Sequence, residues 1–364
     1  MNGRLSASRT LLAARGLDAV LVSDPADVRY LSGFRGDEAL LLVGREAALI
    51  CTDSRFWAQA AGEVGDVELV RSEGGDDLVA DILAAWGTAG ASGAGAAARR
   101  LGFQGDVLAY AGYRRLRRCF GGRLVNLGTR VSALRRVKDD DELRTMRRAA
   151  AIAEEALEAA VARGLAGRTE RAVAWGIAAA VHEAGGDDLA FPTIVAAGPH
   201  GAQPHAIPGD TVIARGDLVV IDMGARLDGY HSDLTRTFAV GEASEEARGV
   251  YDVVLRAQLA GLAAVRDGAA CRAVDRAARG VIDEAGYGER FGHGTGHGVG
   301  LEIHEQPRVA RRSRDRLASG MVITVEPGIY LEDRFGVRIE DTVAVTDGAC
   351  ERLTRSPKEL RVVA

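Results

Sequence analysis

The sequence contains few cysteines. Only four occur among its 364 residues, and they lie far apart, at Cys51, Cys119, Cys271 and Cys350. Such wide spacings match neither a thiolate metal site nor a redox pair, and a disulfide-dependent protein concentrates more cysteines in a shorter chain. We therefore expect reduced thiols and predict a cytoplasmic protein.

Long apolar runs and blocks of basic residues are also missing. No apolar stretch reaches the roughly 18 residues that a membrane-spanning helix needs, and the first residues lack the apolar centre of a signal peptide. The formal net charge is −5, which disfavours a phosphate backbone as a partner. The short basic run at 114–118 fits one face of a helix. We expect neither a membrane nor a nucleic acid as a partner.

The chain is long enough for two domains, because domains usually have about 100–200 residues, and 47% of its residues are hydrophobic. Its first part mixes helical and strand patterns, and a glycine- and alanine-rich segment at 87–99 is typical of a surface loop. The pattern changes near 134–138. We predict a mixed-sheet domain at residues 1–135 and a second domain at 136–364, in the α/β (α+β) class.

The second domain begins with a pattern for a long helix at 140–163. Asp139 and Glu142 have the spacing of a capping box at its start. Two helices followed by strands occur there, and the same order returns from about residue 244, with strands expected near 299–304, 321–326 and 336–346. This repeat predicts a domain built from two related halves.

One stretch of the second domain, residues 291–305, combines glycine with histidine. It contains five glycines and three histidines, His293, His297 and His304. Glycine permits close backbone approach, so side chains from several elements can gather at such a stretch. A solvated glycine-rich loop is the simpler interpretation of any single pair, but acidic residues lie in strand patterns on both sides.

Four of these acids, Asp222, Asp233, Glu326 and Glu340, end or interrupt apolar, β-branched runs. A carboxylate in a buried strand is costly without a partner. An acid on an edge strand facing water would be a fair interpretation of any one of them. Four of them beside glycine-flanked histidines fit a two-metal site better.

A predicted hairpin brings two of the acids together. Asp228 and Gly229 form a strong two-residue turn signal, which would pair Asp222 with Thr235. Asp233 would then lie diagonally from Asp222 on the same face of the hairpin.

The other two acids follow near the end of the chain. There we expect Arg338 and Glu340 on one face of a single strand, where Arg338 would orient the Glu340 carboxylate. Together the four carboxylates carry four negative charges, which two divalent cations would neutralise. Oxygen-rich ligation with one imidazole favours Mn²⁺, Co²⁺, Fe²⁺ or catalytic Zn²⁺.

These motifs resemble those of the creatinase and methionine aminopeptidase group of pita-bread metallopeptidases. The similarity is specifically to aminopeptidase P and prolidase, which cleave Xaa-Pro bonds. The resemblance covers nearly the whole chain, includes residues 24–34 of the first domain, and depends on five ligand motifs, at 221–224, 232–237, 293–297, 325–328 and 338–341. It implies a creatinase-like N-terminal domain at 1–135 and a pita-bread catalytic domain at 136–364.

The resemblance also implies roles for the ligands. Asp222 would bind one metal, His297 and Glu326 the other, and Asp233 and Glu340 would bridge the two ions. A hydroxide shared by both metals would be the nucleophile, and Glu326 would transfer the proton. Manganese is the metal we expect, with Co²⁺, Zn²⁺ and Fe²⁺ as alternatives.

Further residues are assigned by the same resemblance. His205 and His304 would be catalytic and contact the substrate at the mouth of the site. Arg308 would bind a substrate carboxylate, while Thr235 and Arg338 would support the ligands from outside. The implied substrates are dipeptides or peptides with proline at the second position, and the implied assembly is a homodimer.

Several alternatives remain open from the sequence. Both an Xaa-Pro dipeptidase and an Xaa-Pro aminopeptidase fit the motifs, as does an aminopeptidase of this fold without proline specificity. An inactive binding protein of the same fold is another hypothesis. Relatives with that role usually lose ligand residues, whereas this sequence keeps all five. Methionine aminopeptidase is disfavoured because it lacks a domain like 1–135, and creatinase because it does not keep the five ligands.

Overall fold

The computed structural model describes residues 2–73, 77–89 and 99–364. The chain divides into two compact units, Met1–Arg135 and Arg136–Ala364. Part of the segment expected to be a loop is helical, since a helix continues to Ala89, and 90–98 lie outside the described residues. Among the described helices, none is both long and apolar enough to cross a membrane.

The first unit is built on a mixed six-stranded sheet in the order β4-β3-β2-β1-β5-β6. Strand β1 pairs antiparallel with β2 and parallel with β5, and apolar residues of the sheet and of two helices form its core. Its elements are α1 Asn2–Arg15, β1 Ala19–Val22, α2 Pro25–Ser32, β2 Leu40–Gly44, β3 Ala48–Asp53, α3 Trp57–Glu63, β4 Glu68–Ser72, α4 Leu78–Ala89, β5 Arg100–Phe103, α5 Tyr110–Cys119 and β6 Arg123–Asn126.

The second unit contains two helix pairs, each followed by mainly antiparallel strands. Helices α6 and α7 precede β7–β12, and α8 and α9 precede the strands that follow. The elements are α6 Asp140–Ala162, α7 Glu170–Glu183, β7 Asp188–Leu189, β8 Ile194–Ala197, β9 Leu218–Met223, β10 Ala225–Leu227, β11 Tyr230–His231, β12 Leu234–Val240, α8 Glu245–Ala264, α9 Cys271–Glu284, β13 Gly296–Gly298, β14 Glu305–Val309, β15 Val322–Val325, β16 Gly328–Leu331, β17 Phe335–Arg338, β18 Asp341–Ala344, β19 Glu351–Arg352 and β20 Arg361–Val363.

Local sequence signals are confirmed at two places in this unit. Helix α6 begins with a complete capping box, in which Asp139 accepts from the Glu142 N–H and the Glu142 side chain accepts from the Asp139 N–H. The turn at Asp228 and Gly229 has φ angles of 49° and 71°, as the two-residue hairpin requires. It pairs Leu227 with Tyr230.

Two strand predictions are wrong. Residues 299–304 form no strand, because β13 ends at Gly298 after a register shift, and the chain turns where the Gly300 N–H donates to the Glu302 carbonyl. The strand predicted at 336–346 is two strands, β17 and β18. The chain leaves the first at Ile339, and the Glu340 N–H donates to the Thr235 carbonyl on β12.

The end of the chain is anchored around Asp341, which is fully buried. Its carboxylate contacts Arg236, Lys358 and Arg352 at 2.7, 3.0 and 3.3 Å. Burial alone would raise the pKa of Asp341, but these three cations hold it below its usual value. Strand β20 then pairs parallel with β12, so the final residues belong to the sheet of the second unit.

Gly224, between β9 and β10, is a position where the fold requires glycine. A Cβ there would lie 1.9 Å from the Ser232 carbonyl oxygen across the hairpin. We expect Gly224→Ala to lower the free energy of unfolding by about 1–3 kcal/mol, measured by urea denaturation, because the two backbones must separate. Gly249→Ala at an exposed position of α8, with open space around it, is the control and should stabilise by about 0.5–1 kcal/mol. Equal effects of the two changes would contradict this prediction.

Candidate metal centre

The β9–β12 hairpin carries two of the four acids to one point. Asp222 lies opposite Thr235 in the register of the hairpin, as predicted, and Asp233 directly precedes β12 and is only 5% exposed. The Asp222 Oδ2 atom accepts from the Arg338 guanidinium at 2.8 Å. The Asp222 Oδ1 atom is buried and has no hydrogen-bond partner among the described residues, and a buried polar atom of this kind needs an explanation.

Strands β13 and β15 bring His297 and Glu326 beside these acids. The Thr324 hydroxyl links the two, since it accepts from the His297 N–H at 3.1 Å and donates to the Glu326 carboxylate at 3.2 Å. The Glu326 N–H in turn donates to the Thr295 carbonyl at 2.8 Å. The backbone around the histidine stretch therefore fixes both side chains.

The His297 ring is oriented by its own backbone. Its Nδ1 lies 3.0 Å from the Gly298 carbonyl oxygen, which only an Nδ1–H can satisfy, so Nε2 keeps its lone pair. That Nε2 points at the acids, 3.4 Å from a Glu326 oxygen and 3.6 Å from an Asp233 oxygen. Burial lowers the pKa of His297, and the neutral ring is the form that binds metal.

Glu340 completes the group and is 1% exposed. The Thr235 hydroxyl donates to its carboxylate at 2.7 Å and accepts from the Arg338 Nε at 3.1 Å. We expected Arg338 to bond Glu340 directly from the same strand. Instead Arg338 bonds Asp222 and reaches Glu340 only through Thr235, because the strand breaks between the two residues.

The electrostatics of the group favour a bound cation. Burial and then the neighbouring carboxylates raise the pKa of Asp233 and of Glu340 well above the usual carboxyl range, and burial also raises that of Glu326. Divalent cations relieve this repulsion. One potential ligand atom from each of Asp233, His297 and Glu340 lies within 4.8 Å of the others. With the unpaired Asp222 Oδ1, this donor set fits hard divalent metal ions.

The predicted substrate residues lie around this centre. The exposed His304 packs its ring edge to face on His297, with centroids 4.4 Å apart. Burial and His297 lower the pKa of His304, and His205 contributes in the same direction, which indicates that His205 is also near. Arg308 lies opposite His297 in the β13–β14 register, and directly opposed residues of antiparallel strands project from the same face.

His205 lies on a loop that is held at several points. The Arg338 Nη1 donates to the Pro204 carbonyl at 3.2 Å. The buried Glu170 carboxylate accepts from the N–H groups of Ala197 and Gly209, at 2.9 and 3.1 Å, and lies 2.9 Å from the His200 Nδ1. The loop is thus fixed at both ends by one carboxylate.

A relay of side chains behind Asp222 was not foreseen from the sequence. Arg338 donates to the Tyr330 hydroxyl at 2.9 Å, and that hydroxyl lies 2.9 Å from the His293 Nε2. The His293 Nδ1 lies 2.8 Å from the Gly294 carbonyl, so His293 carries its proton there and accepts from Tyr330. His293 therefore supports the centre from outside, and no sequence signal marked Tyr330.

A second unforeseen group is a buried ion pair on α9, which we call the α9 clamp. Arg279 contacts Asp275 through two nitrogens, at 3.0 and 3.2 Å, and donates to the carbonyls of Phe291 and His293 at 2.8 and 2.7 Å. Asp275 also accepts from the Thr295 hydroxyl at 2.9 Å. The clamp fixes the loop that leads into His297.

Comparison with known proteins finds family models that match both units of the chain. Residues 144–347 match the model of metallopeptidase family M24, and residues 4–137 match that of the creatinase/prolidase N-terminal domain. The chain is 35% identical to the Xaa-Pro dipeptidase of Pyrococcus furiosus over 99% of this chain and 100% of that one.

Solved structures agree as well. An Xaa-Pro dipeptidase from Bacillus anthracis superposes with a TM-score of 0.94 at 35% identity, covering 99% of both chains. An X-Pro aminopeptidase from Thermotoga maritima gives a TM-score of 0.87 at 36% identity, covering 96% of this chain and 98% of that one.

The fold and the acid–histidine centre thus define a metallopeptidase, an enzyme that uses divalent metal. The chain belongs to metallopeptidase family M24. This confirms the expected fold, with a creatinase-type domain followed by a pita-bread domain.

The α9 clamp gives a testable effect on stability. Lysine cannot reproduce the planar fork of Arg279, so Arg279→Lys should lose at least about 1.5 kcal/mol of unfolding free energy, the scale of one hydrogen bond to a charged group. The control, Arg276→Lys, lies on the exposed side of the same helix and should change stability by less than about 0.5 kcal/mol. Urea denaturation measures both, and equal midpoints would exclude the clamp as a support of the loop.

Proposed function

We propose that this protein hydrolyses the Xaa-Pro bond, with dipeptides as its preferred substrates. The convergence of four carboxylates, two of them buried, and His297 at one centre carries the proposal. Full-length similarity to the Xaa-Pro dipeptidases of Pyrococcus furiosus and Bacillus anthracis supports the choice of substrate.

Five residues would hold two divalent ions, of which manganese fits the oxygen-rich donor set well. In this proposal Asp222 would serve as a ligand of one ion, His297 and Glu326 of the other, and Asp233 and Glu340 of both. When bound, the two cations would supply a hydroxide nucleophile at neutral pH by lowering the pKa of a shared water.

The chain's own residues would handle the proton and the developing charge. Glu326, held by the Thr324 hydroxyl, accepts the proton of the attacking water on a carboxylate oxygen and returns it to the leaving proline nitrogen. His304 donates a ring N–H to the carbonyl oxygen as negative charge develops there. A lowered pKa keeps His304 neutral, and a neutral imidazole still has one N–H to donate.

His205 and Arg308 would recognise the substrate. His205 contacts the substrate at the mouth of the site from its fixed loop. Arg308 is exposed beside His297, and a guanidinium binds a carboxylate through two parallel hydrogen bonds. The free carboxylate of a C-terminal proline is the group that distinguishes a dipeptide from a longer peptide. We also propose a homodimer and a cytoplasmic location.

The metal requirement is tested by chelation. Activity on an Xaa-Pro dipeptide should disappear after exhaustive chelation and return with Mn²⁺, and elemental analysis should find up to two ions per chain. Asp233→Asn and Glu340→Gln should lower that number, because a neutral amide does not offset the cation charge. Asp188→Asn, on an exposed strand, makes the same charge change and should leave it unaltered. Full activity of metal-free protein would refute the mechanism.

Substrate length is tested with three compounds: an Xaa-Pro dipeptide, its C-terminal amide and an Xaa-Pro-Xaa tripeptide. We expect kcat/KM to be highest for the dipeptide. Arg308→Ala should lower that value by about tenfold to a hundredfold, the range for one charge-assisted hydrogen bond, and should have little effect on the amide. Arg312→Ala is the control. If wild type uses all three equally and Arg308→Ala changes nothing, the protein is better described as an Xaa-Pro aminopeptidase.

A further inference from the structure

A cavity of about 380 Å³ lies along α9, and its wall contains none of the proposed metal ligands. Three of its lining residues are Arg272 and Arg276, one turn apart on α9, and Arg311, which follows β14. The α9 clamp, Asp275 with Arg279, also lines it, as does Asp283. The peptidase mechanism proposed above makes no use of this cavity.

The cavity carries an uncompensated positive charge. Its four arginines and two aspartates give a formal charge of +2, although the chain as a whole carries −5. Arg279 is neutralised by Asp275 within the clamp. Within 2–73, 77–89 and 99–364, the other three guanidinium groups take part in no hydrogen bond or ion pair. Like charges four residues apart on a helix repel each other, so their grouping costs free energy unless an anion joins them.

The start of α9 adds to this charge. The N-cap residue Ala270 provides no side-chain cap, and the first turn contains no acid. The first turn instead contains Arg272, although the N-terminal end of a helix carries partial positive charge and favours anions. An anion at this end of the cavity would be stabilised both by the N-terminal end of the helix and by the arginines.

We propose that this cavity is a binding site for phosphate, either as the free ion or as a phosphate monoester. The guanidinium group of arginine binds phosphate oxygens through two parallel hydrogen bonds. A phosphate dianion has enough oxygens for three such groups. The cavity exceeds the volume of one phosphate group, and the exposed ends of the arginines leave room for an organic substituent. Arg272, Arg276 and Arg311 are the binding residues.

The bound phosphate would contact the α9 clamp. Arg279 lines the cavity with the guanidinium that holds the Phe291 and His293 carbonyls. An anion there would interact with the Arg279 guanidinium, which also fixes the loop leading to His297. The binding itself does not depend on the proposed peptidase activity, so the two proposals fail independently.

Isothermal titration calorimetry with inorganic phosphate and with glycerol phosphate tests the site. Both the metal-loaded and the chelated protein are titrated, because phosphate bound to metals is lost on chelation and phosphate bound to the cavity is not. We expect saturable binding that survives chelation. Tighter binding of glycerol phosphate would identify a monoester as the ligand, and equal binding would identify the free ion.

The decisive variant combines Arg272→Gln, Arg276→Gln and Arg311→Gln, all at exposed positions. It should weaken chelation-resistant binding at least about tenfold, the loss expected from one charge-assisted hydrogen bond. The control combines Arg114→Gln, Arg117→Gln and Arg118→Gln on exposed α5, which changes the net charge equally and should bind as wild type does. The triple lysine variant of the cavity, which keeps charge but loses the forks, should bind with intermediate affinity.

Three results would overturn the site. They are no saturable binding to chelated wild type, unchanged binding by the cavity variant, and an equal loss in the α5 control. The last result would mean that the weaker phosphate binding comes from the change in net charge alone. Thermal unfolding of each variant without phosphate establishes that the variants are folded, so that weaker binding is assigned to the cavity.

Discussion

The repulsion among four clustered carboxylates, two of them buried and two partly buried, is the constraint on which the second unit depends. Asp222 lies on β9, Asp233 directly before β12, Glu326 directly after β15 and Glu340 between β17 and β18. Each is held where water cannot screen its charge well. In metal-free protein, burial and mutual repulsion push protons onto the deepest of them. The fold therefore holds most of the ligand atoms in place before a metal binds. A divalent cation is attracted to the group, because it neutralises the charges that make the acids repel one another.

Arginine side chains surround the acids without occupying the centre. Arg338 reaches Asp222 from behind and is itself held by Tyr330 and Thr235. Arg236 donates to the Thr235 carbonyl, to the Glu340 carbonyl and to Asp341. These guanidinium groups bond backbone oxygens or the outer faces of carboxylates. They lower the cost of gathering negative charge while leaving the inner oxygens for metal.

Local signals in the sequence were sufficient for the hairpin and for the capped start of α6, because each depends on residues a few positions apart. The Arg338–Glu340 contact was mispredicted because the chain crosses to β12 between them, a change that the apolar pattern of 336–346 does not reveal. Tyr330, Thr324 and the α9 clamp were missed because their importance comes from long-range contacts. Two of these had spacings that could have indicated them: Thr324 lies two residues before Glu326, and Asp275 and Arg279 are four residues apart on α9.

The anchoring of Asp341 connects a distant part of the sequence to the acid–histidine centre. This residue follows Glu340, and two of its three cations, Arg352 and Lys358, lie well beyond it in the sequence. A substitution that removes either cation leaves a buried negative charge less compensated directly beside Glu340. Such a change would alter the charge around the centre, although Arg352 and Lys358 contact none of the four acids in it.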